Sequence, residues 1–162
     1  MSSQLLEIMY SDEIATIKNE RWNVELRDDM NVANKVNQFL NDTFVQEKER
    51  IEIINIVLLS YRFQPKIPEG IACNKWILKC ESHSPYVIDL LKSIPLNCEL
   101  LHVEIDNGGL GLHASTDQMK TARNVSLKTT GRKEGVYDVI SDLRKVNITL
   151  RDKTVSIVMR WL

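Results

Sequence analysis

Apolar and polar positions alternate along several short runs of this chain, with the period of a half-buried strand. Arg21 to Arg27 sets Trp22, Val24 and Leu26 on one face, Lys75 to Glu81 does so with Trp76, Leu78 and Cys80, and Leu100 to Ile105 with Leu101, Val103 and Ile105. Two final runs, one through Val146, Ile148 and Leu150 and one through Val155, Ile157, Met159 and Trp161, are joined by Arg151-Asp-Lys153 and predict a hairpin. Elsewhere the apolar spacing lengthens to that of an amphipathic helix. Val32, Val36, Phe39, Leu40 and Phe44 follow Asp28-Asp29, whose carboxylates can accept from free amides at a helix start. Val136, Val139, Ile140 and Leu143 form a second such stripe, and Ser84 to Lys92 reads as a short helix with proline in its first turn. The block Ile51 to Phe63 fits a buried helix through Ile51, Ile54, Leu58 and Tyr61, and also a strand rich in β-branched residues; the helix is preferred.

The segment 1–20 reads as an N-terminal extension, and 21–162 as the body of a single domain. No linker, internal repeat or low-complexity segment stands out. The order of elements predicts an α+β two-layer sandwich, with helices packed on one face of a mixed, mostly antiparallel sheet. On this reading Leu101, Val103, Ile105, Ile148, Leu150, Val155, Ile157 and Met159 share one buried sheet face, against the helix of Val136 to Leu143.

Charge narrows the partners. The 162 residues carry 21 basic and 22 acidic side chains spread along the length, a net charge of -1, so no basic patch favours nucleic acid or an anionic membrane. The longest apolar stretch, Ile53 to Leu59, is interrupted by Asn55 and is far shorter than the ~20 residues of a membrane span. The N-terminus lacks the basic and apolar regions of a signal peptide, so a soluble cytoplasmic protein is expected. Cys73, Cys80 and Cys98 match neither a disulfide framework nor a zinc knuckle, and are expected reduced and mostly buried. His83, His102 and His113 stand at no metal-ligand spacing. His113-Ala-Ser115 is one half of a paired His-x-Ser phosphoesterase signature whose second half is missing, so a hydrolase is the least supported class.

Three of the six glycines fall within four residues, in Asp106-Asn-Gly-Gly-Leu-Gly111. Glycine permits positive φ and close approach of backbone to a ligand, so this run is either a tight Asn-Gly hairpin or a nucleotide-contacting loop. Gly131-Arg-Lys-Glu-Gly135 is a second such loop. Together with the order of elements, these loops resemble the ATP-binding fold shared by histidine kinases, gyrase, Hsp90 and MutL. Within it they are most similar to the small bacterial anti-sigma-factor serine kinases of partner-switching systems, over roughly Arg21 to Leu162.

The resemblance implies that Asp106 accepts a hydrogen bond from an adenine amino group, that Gly108 and Gly111 let backbone approach the base, and that Gly131 and Gly135 belong to a phosphate-facing lid. It also implies ATP or ADP with magnesium as the cofactor and Asn55 as the metal ligand. Three positions depart from the pattern: Leu110 replaces the second glycine of the first box, Lys133 replaces the middle glycine of the lid, and no carboxylate stands four residues before Asn55. The site so implied is degenerate, with no catalytic residue and no obligatory cofactor, because phosphoryl transfer needs both a metal and an oriented nucleophile. The expected function is therefore that of a cytoplasmic regulatory protein in signalling or partner switching. It would bind a protein partner, regulator-like, sigma-factor-like or toxin-like, with a homodimer as the form any self-association takes. The alternative is a stand-alone interaction protein, such as a toxin-immunity or inhibitor protein, with no nucleotide.

Overall fold

The computed structural model describes residues 5–11, 13–21, 23–28, 30–59, 65–80, 86–105, 116–129, 135–140, 144–151 and 154–161. Side-chain surroundings are given for those up to 126, apart from 86 and 105. The strands are β1 Leu5–Tyr10, β2 Ile14–Lys18, β3 Asn23–Arg27, β4 Ile53–Leu58, β5 Lys75–Cys80, β6 Leu100–Ile105, β7 Asn124–Thr129, β8 Gly135–Ile140, β9 Arg144–Arg151 and β10 Thr154–Trp161. The helices are α1 Val32–Leu40, which runs on into a π-helical turn Asn41–Val45, α2 Tyr86–Lys92 and α3 Asp117–Thr121.

The protein is α+β, with a seven-stranded mixed sheet in the order β3-β2-β1-β4-β5-β6-β7 and a separate three-stranded sheet β10-β9-β8. Each strand of the large sheet from β1 to β6, β3 apart, buries every second side chain. Leu6, Ile8 and Tyr10 of β1, Ile54, Ile56 and Leu58 of β4, Trp76, Leu78 and Cys80 of β5, and Leu101 and Val103 of β6 join one core. The helices cover that same face, since Val32, Val36 and Leu40 of α1, Val87, Leu90 and Leu91 of α2 and Met119 of α3 belong to the same cluster.

Local chemistry sets the helix ends. Asn31 Oδ1 accepts from Asn34 N at 3.3 Å, occupying an amide that the first turn leaves free, and Asp28 Oδ1 accepts from Met30 N at 2.8 Å just ahead of the helix. The spacing Val36, Leu40, Phe44 keeps one face of the helix buried through the π turn, where Gln46 N donates to Asn41 O at 2.9 Å.

Four expectations are corrected. Segment 1–20 is no extension: β1 lies inside the sheet, antiparallel to β2 and parallel to β4. The block Ile51 to Phe63, in its described part, yields strand β4 and not a helix. Ile54 and Leu58, four residues apart, satisfy both periods, and the β-branched run with burial at alternate residues decides for the strand. Val136 to Ile140 likewise lie in strand β8, whose Gly135 pairs with Leu150. Lastly, the large sheet is mostly parallel: β1–β4, β4–β5, β5–β6 and β6–β7 are parallel, and only β1–β2 and β2–β3 are antiparallel. The predicted β9–β10 hairpin forms, with Ile148 opposite Ile157, but in the small sheet, so those residues do not extend the sheet of Leu101 and Val103.

The parallel strands carry a repeat. Ile51, Cys73, Cys98 and Ala122 are buried and each stands two residues before a strand. Three residues on come Ile54, Trp76, Leu101 and Val125, which are register partners, and two further on Ile56, Leu78, Val103 and Leu127. The motif is apolar-x-x-apolar-x-apolar at intervals of 22, 25 and 24 residues. Pairing begins before the strands proper: Ile51 N donates to Ala72 O at 3.0 Å, Leu100 N to Asn74 O at 3.2 Å and Arg123 N to Cys98 O at 2.9 Å. A strand-forming motif recurring every ~20 to 29 residues, with the described helices α2 and α3 on one side, is the pattern of a solenoid-like parallel sheet.

Candidate functional site

Because helices cover one face of the sheet, the alternate strand positions make up a second face. From β1 to β6 it carries Glu7 and Met9, then Ile53, Asn55 and Val57, then Lys75, Ile77 and Lys79, then Leu100, His102 and Glu104. All are half-buried, and its apolar members stand outside the core cluster into which the helices pack. Leu5, at the edge of this face beside Ile53, is 48% exposed. Register sets the rows: Glu7, Asn55, Ile77 and His102 lie side by side, and Met9, Val57, Lys79 and Glu104 form the next row.

Asn55 stands at the centre of this face, where a β-branched apolar residue would suit the strand better. Its Oδ1 is buried and accepts no hydrogen bond among the described residues. A buried acceptor without a donor costs free energy of about 1–3 kcal/mol, so its place between Glu7 and Ile77 is a feature to account for. His102 Nε2 and Glu104 Oε1 meet at 2.9 Å along β6. Lys75 Nζ is 3.8 Å from Glu52 Oε1, an exposed pair of small worth. Neither Lys79 nor Glu7 has an ion pair among the described residues.

A cleft of about 330 Å³ lies at the other end of the sheet, lined by Glu13, Ile14, Arg27, Asp28 and Lys35. Its charges are already engaged: Lys35 Nζ donates to Arg27 O at 2.8 Å, Arg27 Nε to Glu25 Oε1 at 2.7 Å, and Asp28 Oδ1 accepts from Met30 N just ahead of α1. The backbone amides of Met30 and Asn31 hold the Asp28 carboxyl below its ordinary value.

The three cysteines are free and buried, in keeping with the expectation for them. Burial pushes the Cys73 thiol up to about 11, so it is protonated and a poor nucleophile at neutral pH. Among the described residues no group of three or more His, Cys, Asp and Glu could hold a metal ion, and no helix is long and apolar enough to cross a membrane.

Of the residues singled out from the sequence, Asp106, Gly108, Gly111, His113, Ser115 and Gly131 lie outside the described residues. Strand β6 does lead directly to Asp106, as expected. Gly135 begins β8 and opens no helix. Asn55 lies on a strand, so the helical carboxylate-and-asparagine pairing of a magnesium site does not arise there; its polar neighbour in register is Glu7. Sequence reasoning missed the open face as a unit. The signal was present in the spacing of Ile51, Cys73, Cys98 and Ala122, but unequal intervals and the varied residues at the first position obscured it. No protein-family model, curated protein or solved structure matches the chain.

Proposed function

We propose that this chain is an interaction module that binds a polypeptide partner across the open face of its parallel sheet, and that it serves as a regulatory protein through that binding. One observation carries the reading: a continuous, in-register sheet face of mixed apolar and polar residues, opposite the face on which the described helices pack. Solenoid-like sheets present such faces as extended binding surfaces, and an apolar surface rimmed by polar groups marks an interaction site. An orphaned acceptor at its centre fits a surface completed by something else, since native proteins break local rules mainly at functional sites. Three free buried thiols fit a reducing compartment such as the cytoplasm. An adenine-nucleotide role would rest on 106–111 and 131–135.

The experiment places a photo-crosslinking phenylalanine analogue at Ile77 on the open face and, separately, at exposed Asn34 on α1. Irradiation in extract from the source cells should give a discrete adduct from position 77 alone, abolished when Val57 is also changed to Arg. Equal adducts from both positions, or none from 77, would refute the reading. Melting the same samples with ADP and magnesium settles the nucleotide role, since a ligand of the native state raises stability by about 2.7 kcal/mol at a hundredfold excess over Kd.

A further inference from the structure

The open face defines its occupant by what it lacks. Lys79 on β5 carries a cation and Glu7 on β1 an anion, each half-buried and neither ion-paired among the described residues; Glu104, beside Lys79 in register, is engaged by His102. Lys79 and Glu7 stand on either side of Asn55, two strand spacings and one row apart, roughly 12 Å. Between them lie Met9, Val57 and Ile77, together with the unpartnered Oδ1 of Asn55. Any molecule covering this strip strips water from two charges and closes off the acceptor, at a cost of several kcal/mol unless it supplies their complements. Resting on the reading above that a polypeptide binds here, we propose that the bound segment presents an acidic side chain to Lys79, a basic side chain to Glu7 and an N–H group to Asn55, with apolar side chains between.

A second copy seated on a dyad over Asn55 does not meet that description. A dyad crossing the strands over Asn55 sets Glu7 against Glu7 and Lys75 against Lys79, and one running along β4 sets Met9 against Lys79. Nucleic acid is disfavoured by the carboxylates of Glu7 and Glu104, which would face phosphates.

The test selects peptides from a random displayed library on the immobilised full chain, in parallel with Lys79→Glu and Glu7→Lys variants whose melts match the wild type. Wild type should enrich peptides bearing one acidic and one basic residue around an apolar stretch. Lys79→Glu should enrich peptides with two basic residues, and Glu7→Lys peptides with two acidic ones. A wild-type-selected peptide should lose about tenfold or more in affinity for either variant. Peptides that bind all three proteins alike, yet lose binding with Ile77→Arg, would overturn the charge-defined occupant and leave the face as the binding surface. Enriched peptides indifferent to Ile77→Arg, or no enrichment at all, would overturn both.

Discussion

Gln118 on α3 donates through one nitrogen, Nε2, to two carbonyl oxygens at and just past the end of α2, Lys92 O at 2.9 Å and Ile94 O at 3.2 Å. This buried amide ties the β5–β6 return segment to the β6–β7 segment, so successive units of the solenoid-like sheet are fastened on their helical side as well as through the strands. Gln118→Leu keeps the volume and removes the donor from both carbonyls. It should cost about 1–3 kcal/mol, and Gln118→Ala somewhat more, read as urea unfolding midpoints at constant m-value.

Trp76 occupies the middle of the core with 0% exposure, and its Nε1 donates to Cys73 O at 3.1 Å within the same unit. Trp76→Ala should cost about 3–5 kcal/mol through the cavity it leaves. Trp76→Phe retains most of the packing and strands a buried carbonyl, so its loss should fall nearer 1–3 kcal/mol. Equilibrium unfolding of both variants checks the order.

Asn55→Val removes the orphaned Oδ1 and puts a β-branched residue at the centre of β4. Stability should rise by about 1 kcal/mol, because a buried polar atom without a partner is replaced by a side chain suited to the strand. The photo-crosslinked adduct from position 77 should weaken in the same variant. A stabilised protein with undiminished capture would mean that the acceptor has no part in binding.

Two groups set opposite pH dependences. Backbone amides of Met30 and Asn31 depress the folded-state value of Asp28 below 3.8. Its contribution is therefore present above that value and lost as pH falls through the lower folded one, and Asp28→Ala should flatten the acid limb of the stability curve. Burial raises the Cys73 thiol from 9.0 to about 11, which works the other way. Its contribution is complete below 9.0 and lost as pH rises toward about 11, so Cys73→Ala should flatten the alkaline limb. At pH 8 the native thiol should resist alkylation and react only under denaturant, as mass spectrometry would show.

Legibility in the sequence followed the strength of local patterning. Trp76, Leu78 and Cys80, and Leu101 with Val103, were readable because they alternate strictly, and α1 because Phe39 beside Val36 and Leu40 fits a helix and breaks the alternation of a strand. The block around Asn55 misled because Ile54 and Leu58 satisfy two periods at once, and long-range pairing with β1 and β5 decides between them. Parallel pairing leaves no local turn signature, so the sheet order was not visible from any one segment. The open face is a property of that order: Glu7, Asn55, Ile77 and His102 are far apart in sequence and adjacent only through register.

The most direct measurement compares neighbours on β5 whose side chains take opposite faces, Ile77 and Leu78. If one face is core and the other is an open binding surface, Leu78→Ala costs about 2–5 kcal/mol. Ile77→Arg should then melt within about 2 °C of wild type while losing peptide binding, as a surface substitution outside the packed core does. An Ile77→Arg variant that unfolds as readily as Leu78→Ala, or that stays folded and binds undiminished, would contradict the account.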